Sequence, residues 1–557
     1  MATVALQTAV ATLTPMSSPS LKVLGVPVGD PASSEALTIL RRPIERHRRL
    51  AALVRRMADA GCPHAALRLL QIAGVRRYAH FLRGLPPDQS APALQEADGV
   101  VRATLEHILQ VTPLDRNRPG YADSMARAAL PARMGGLNLP TMATEAPGAY
   151  VASFAAAAQE LHGRMLRLYD NQLAQAVAAD IAAVPPNRPW AASLRTARDS
   201  ISPLLALLPE DLATLRTSAP EGPPTLRPGV QLGGARPPSH KPEQFAESYV
   251  DIEAIVVPDL TSMALNRTPH LQMVLGRARR ARDYLDILTR ARRDRRLRDA
   301  ARLLSSSGGG AAFLVSDDRR VHAVDGADYV QMIRHVLGMV PVASTPVPHR
   351  CPICTVAQDA VRDDPTNDAH LAMADHIPRC PARALTTQLH DVVCSTLVQL
   401  LKEYTGLNAR NIVVEPGGLT DSARRPADIL LRNFYGQNKH LILDVGVTSC
   451  LTNSGLEQGA VDPGASARAY ERRKIMAIHS HPVTMRGSWR YVPFILEDCG
   501  RPGAHALAFL AETQKLHPAT QLPPGIRVGA HTIMLQVLTS AVHQFRASMI
   551  LRASPLS

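Results

Sequence analysis

The sequence predicts a multidomain protein: a mostly α-helical N-terminal half, a small cysteine–histidine segment, then an α/β domain. Three observations predict it. Apolar and basic residues recur at helical period through ALTILRRPIERHRRLAALVRRMA and HAALRLLQIAGVRRYAHFL. A CxxC pair is followed by HxxxC at 351–380, and two apolar runs, ADILLRNF and HLILDVGV, flank a turn-like YGQNK. At 557 residues the chain is too long for one core, and roughly three or four domains are expected.

The elements divide in order. Residues 1–19 are acid-poor and rich in Ser and Thr, and are expected to be disordered, the ragged edge of a truncated reading frame; they lack the arginines of a transit peptide. Residues 20–160 form a helical region. Residues 161–345 form a helical connector, interrupted by the proline-rich stretches VPPNRP and APEGPPTLRPGVQLGGARPPSHKP. An arginine-dense helix at ~267–304 stops at SSSGGG. The front helices are expected to form their own core. Residues 346–382 hold the cysteine–histidine segment, 383–515 the α/β domain, and 516–557 a closing helix and tail.

Net charge is +14, which favours nucleic acid as partner over acidic small molecules. Lysine is scarce: six residues, Lys22, Lys241, Lys402, Lys439, Lys474 and Lys515, against 56 arginines. Seven cysteines without even spacing argue against a secreted disulfide framework. No apolar run approaches the ~18 residues of a membrane span. A nuclear or cytoplasmic location is expected, with no membrane partner.

Cys351-Pro-Ile-Cys354 with His376-Ile-Pro-Arg-Cys380 has the ligand spacing of a structural zinc site, two thiolates from a knuckle and two ligands from a turn or helix start. The loop between them is twenty-one residues, which leaves His370 and His349 as substitute ligands. Cys394, Cys450 and Cys499 sit in apolar stretches and read as core.

Asp428 and Asp444 end the two apolar runs, with Gly436 midway between them. In an antiparallel hairpin centred there they face each other, Cβ atoms about 5 Å apart. Like charges so placed need compensation, by pairing or by metal, and a divalent cation held between both carboxylates would supply it.

RRPADI, then fourteen residues, then DVGVTS, then Lys474 in YERRKI, resembles the restriction-like endonuclease (PD-(D/E)XK) domain of non-LTR retrotransposons. The chain departs from the general nuclease pattern in an alanine between Pro426 and Asp428, in Gly446 where many such nucleases carry lysine, and in a lysine displaced to Lys474. CxxC…HxxxC just upstream fits the same family, as do LKVLGVPVGD, ALPARMGGLNLP and AYVASF, which look like the segment after the palm of its reverse transcriptases. The resemblance implies catalytic Asp428, Asp444 and Lys474. Glu415 matches a family acid that either completes the metal site or caps an edge. His390-Asp391 stands at the family's Arg-His-Asn step, with Leu389 and Asp391 replacing the outer residues, and Glu497 matches a late acid for which a structural role is expected.

Tyr121-Ala122-Asp123-Ser124 lacks the second aspartate of a polymerase turn and is read as a decoy. The implied protein is therefore a truncated retroelement product, its polymerase portion upstream, that nicks target DNA with catalytic Mg²⁺ and structural zinc and takes DNA and element RNA as partners. The arginine-dense helix and the zinc knuckle are expected to grip phosphates. The alternative is a catalytically decayed, zinc-dependent nucleic-acid-binding protein.

Overall fold

The computed structural model describes residues 20–23, 26–29, 34–74, 78–168, 189–205, 271–316, 319–341, 349–357, 369–380, 385–417, 419, 427–452, 455–479, 488–518 and 529–553. The proposed disordered N-terminus, residues 184–188 and 219–242 of the proline-rich stretches, Pro426 and the side chain of His370 lie outside them. The described residues are mostly helical, with a small four-stranded mixed sheet in the C-terminal part. No described helix is long and apolar enough to cross a membrane.

In the front part, helices α1 (Ser34–Asp59) and α2 (Pro87–Ile108) pack together. Each turns one stripe inward: Ile44, Ala51 and Val54 from the first, Leu94, Val101 and Leu105 from the second. Helix α3 (Tyr121–Ala129) carries the decoy turn. Its Asp123 is buried and ion-paired to Arg290 and Arg296, a structural duty.

The arginine-dense segment is two helices, α4 (Leu271–Arg293) and α5 (Leu297–Ser306). The chain breaks at Arg295, whose φ is +56°. Composition gave no warning, because the break lies inside an unbroken run of charged residues. Many arginines of this segment have partners within the fold. Arg298 and Arg302 are buried against Asp375, Arg279 and Arg282 pair with Asp283 and Asp286 one turn on, and Arg292 donates to the Ala460 carbonyl. Arg293 and Arg295 are exposed.

The separate front core is not observed. One buried cluster runs from Ile44, Val54 and Leu105 through Phe313 and Ile333 to Leu397, Leu443, Phe494, Phe509 and Leu538. Two helices carry it across: α6 (Gly326–Leu337), and the closing helix, α12 (Ala530–Ala553). The latter buries Met534, Leu535, Leu538, Val542, His543, Arg546 and Ala547. A helix apolar round most of its girth is an interior element, and this one packs on α6, on α9 (Leu385–Tyr404) and on α11 (Ala504–Leu516).

The sheet has the order β3 (Ile412–Val414), β4 (Ile429–Leu431), β5 (Lys439–Thr448), β6 (Ser488–Glu497); β1 (Ser20–Val23) and β2 (Val26–Gly29) form a separate hairpin. The first two pairings are antiparallel and β5–β6 is parallel. The hairpin's first arm is shorter than its apolar run. Asn433, Gly436 and Asn438 all have positive φ and belong to the turn, the residue types that tolerate that region. Helix α10 (Ala465–His479) is the crossover between the parallel strands and packs on both.

Candidate functional site

Strand register builds the first site. Ile429 pairs with Leu443 and Val414 with Ile429. One step further, Glu415, Asp428 and Asp444 share a single rung across three adjacent strands. Two hydrogen bonds hold the rung: the Glu415 N–H donates to the Asp428 carbonyl at 2.7 Å, and the Asp428 N–H to the Leu443 carbonyl at 3.0 Å. Asp428 and Asp444 are 24% and 17% exposed, so solvent and ions reach both. Glu415 sits just past the edge strand, exposed, with φ +46°.

Each aspartate has its own supports. Asp428 Oδ2 accepts from the Val445 N–H at 2.7 Å and faces His390 Nε2 at 3.2 Å. His390 Nδ1 lies 3.0 Å from Asp391 Oδ1. The hydrogen bond to Asp428 outweighs partial burial and lifts the imidazole to about 9, so it is protonated at neutral pH. Burial works to raise Asp428, but His390, the Val445 N–H and Lys474 hold it below its ordinary range. Asp444 Oδ1 is ion-paired to Lys474 and its Oδ2 accepts from the Tyr491 hydroxyl at 2.5 Å. Burial lifts Asp444 above the ordinary carboxylate range despite Lys474, and the charge on Asp428 adds to the rise. Lys474 also donates to the Val445 carbonyl at 3.0 Å.

Position 446 has no room for a side chain. A Cβ on Gly446 would lie 2.5 Å from Tyr470 Cε1, 2.8 Å from Ile495 Cδ1 and 3.1 Å from Lys474 Cε. The α10 crossover therefore presses on the strand where a side chain at 446 would project, and Lys474 enters from that helix instead. Gly446→Ala is expected to cost about 1–3 kcal/mol, the usual penalty of overpacking, measured by denaturant unfolding.

Sequence reasoning did not identify Tyr491 and left His390 without a role. Tyr491 reads as one more apolar residue of SWRYVPFILE; its signal was the parallel register, which places it beside Ile442, two residues before Asp444. Glu497 is structural: fully buried, it accepts from Ser305 Oγ and from the Ala467 N–H at the start of α10.

The second site is the knuckle. Ligand atoms of Cys351, Cys354, His376 and Cys380 all lie within 4.8 Å of one another, with Cys354 Sγ 3.3 Å from His376 Nε2. Cys351 and Cys380 are fully buried. Burial, with Arg379 nearby, lowers the His376 imidazole and favours the neutral form that binds metal. This soft Cys₃His set is one that can hold zinc. His349 is exposed and outside the cluster. Helix α8 (Ala369–His376) delivers His376, and the preceding residue anchors it. Asp375 receives Arg302 at 2.7 Å, Arg546 at 3.1 Å and Arg298 at 3.2 Å, all buried. Cys351→Ser with Cys354→Ser is expected to remove one equivalent of zinc per chain; unchanged metal content would reject this ligand set.

No protein-family model matches the chain, and no curated protein matches it either.

Proposed function

We propose that the chain is a metal-dependent DNA endonuclease, of the restriction-like kind found in non-LTR retrotransposons, that nicks double-stranded DNA in the nucleus. The observation that carries this reading is the rung Glu415–Asp428–Asp444 with Lys474 seated on Asp444. Two carboxylates on neighbouring strands and the adjacent Val445 carbonyl are an all-oxygen donor set of the kind that suits Mg²⁺. When bound there, Mg²⁺ supplies Lewis-acid activation of water and neutralises charge on the phosphate.

The chain's own residues have distinct tasks. Asp428 and Asp444 hold the ion. The Val445 N–H, His390 and Tyr491 fix the two carboxylates in position. Lys474 brings a cation to the reacting phosphate and orients the attacking water, an electrostatic contribution made in place before reaction. The zinc knuckle and the exposed arginines bind phosphates without reading sequence. DNA is the substrate and element RNA a further partner.

The test is supercoiled plasmid incubated with full-length protein at low salt, with and without Mg²⁺. Weak, sequence-tolerant nicking that requires Mg²⁺ is expected, with DNA binding that falls steeply as salt rises. Protein that retains plasmid but leaves it uncut overturns the nuclease reading in favour of a decayed nucleic-acid-binding protein. Protein that does neither overturns both.

A further inference from the structure

We propose that Cys450, Asp498 and Cys499, with His335 beside them, form a second metal site, a buried zinc centre separate from both the knuckle and the carboxylate rung.

Topology brings the ligands together. The parallel β5–β6 register pairs Thr448 with Glu497, and the same offset two residues on sets Cys450 beside Cys499. The Asp498 N–H donates to the Thr448 carbonyl at 2.7 Å, so the strands remain joined up to the cysteines. The two thiols and one Asp498 carboxylate oxygen all lie within 4.8 Å of one another. Cys450, Asp498 and Cys499 are 2%, 1% and 0% exposed. His335 Nε2 lies 3.6 Å from Cys499 Sγ. In a tetrahedron with zinc–sulfur bonds of ~2.3 Å and zinc–nitrogen bonds of ~2.0 Å, ligand atoms stand roughly 3.5–3.8 Å apart. Closure of the three ligand atoms from within 4.8 Å of one another, with His335 moving in from beside Cys499, reaches that size, and binding releases two thiol protons to solvent.

Two further observations point to a missing cation. Asp498 gives Oδ2 to Arg546 at 2.7 Å, while its buried Oδ1 has no hydrogen-bond partner. Carboxylate oxygens seldom stay unpaired in an interior. The far nitrogen of His335, Nδ1, faces Asp375 Oδ1 at 3.9 Å, the carboxylate–histidine–metal order typical of zinc ligands.

The proposed site shares Asp375 with the knuckle: Asp375 precedes the ligand His376 and faces the ligand His335. It also ties the ends of the two long strands to α6, and so braces the sheet on which the carboxylate rung sits.

Zinc content of the full-length protein, purified under reducing conditions with zinc and freed of loose metal by gel filtration, tests the proposal. Two zinc ions per chain are expected. One should remain in the Cys351→Ser, Cys354→Ser variant and one in the Cys450→Ser, Cys499→Ser variant. Cobalt(II) added to metal-free parent protein should fill two sites, and the knuckle variant should keep the weaker thiolate–cobalt absorption of a two-sulfur site. That titration uses Cys450 and Cys499 in place, so it decides the matter even if their double variant fails to fold. A parent protein with one zinc, lost in the knuckle variant, overturns the proposal and leaves the knuckle intact. A Cys450–Cys499 disulfide found by peptide mass analysis of protein purified with zinc overturns it too.

Discussion

Asp428→Ala and Asp444→Ala are each expected to lower Mg²⁺-dependent nicking by about 10²–10³-fold and to leave DNA retention unchanged. Losing one preorganised electrostatic contact in an active site costs about 10²–10³-fold, and each aspartate sits in its own network of supports. Asp444→Ala would also strand the Lys474 ammonium and the Tyr491 hydroxyl, both now satisfied by that carboxylate. Asp444→Asn keeps the shape and removes the charge, and it should fold as the parent does while cutting no better than the alanine variant. Lys474→Ala is expected to slow cleavage by about 10²–10³-fold with little change in binding, because its ammonium faces the rung and the Val445 carbonyl. Plasmid nicking beside a filter-binding curve reads both quantities. Parental cutting by both aspartate variants would remove the site.

Asp375→Ala is expected to destabilise the fold by about 3–5 kcal/mol, the range for breaking a buried ion pair from one side. The single carboxylate compensates Arg298, Arg302 and Arg546, which are 4%, 0% and 1% exposed as side chains. Its removal takes a shared carboxylate from three buried guanidinium groups on α5 and α12 at once, and Arg546 keeps a second carboxylate close by, Asp498 at 2.7 Å. Denaturant unfolding in excess zinc measures the loss. Asp286→Ala removes one partner of an exposed pair with Arg282 and should change stability by no more than about 1 kcal/mol. Equal effects from the two substitutions would contradict the Asp375 account.

What the sequence made legible follows from symmetry and spacing. Gly436 lies at the centre of the two aspartates, and an antiparallel register depends only on that centre, so their pairing was readable although the first strand is short. The knuckle was readable because cysteine is rare and its ligands are close in sequence. What stayed hidden depends on long-range packing. Tyr491 reaches Asp444 only through a parallel register set by the α10 crossover. Arg298 and Arg302 look like the arginines around them, and only the fold shows that they meet Asp375 more than seventy positions away. Cys450 and Cys499 read as apolar core until the strand offset brings them together. The central place of the closing helix in the core was hidden because it depends on α6 and α9, which are distant in sequence.

The carboxylate rung as a cation site is tested most directly by replacing Mg²⁺ with Fe²⁺ in the full-length protein and adding ascorbate and peroxide. Oxidants made at the bound iron cut the polypeptide next to its ligands. Breaks clustered near Asp428 and Asp444, suppressed by excess Mg²⁺ and absent in Asp444→Asn, are the result this structure predicts. Breaks only elsewhere in the chain, or breaks at those strands that Asp444→Asn leaves unchanged, would contradict it.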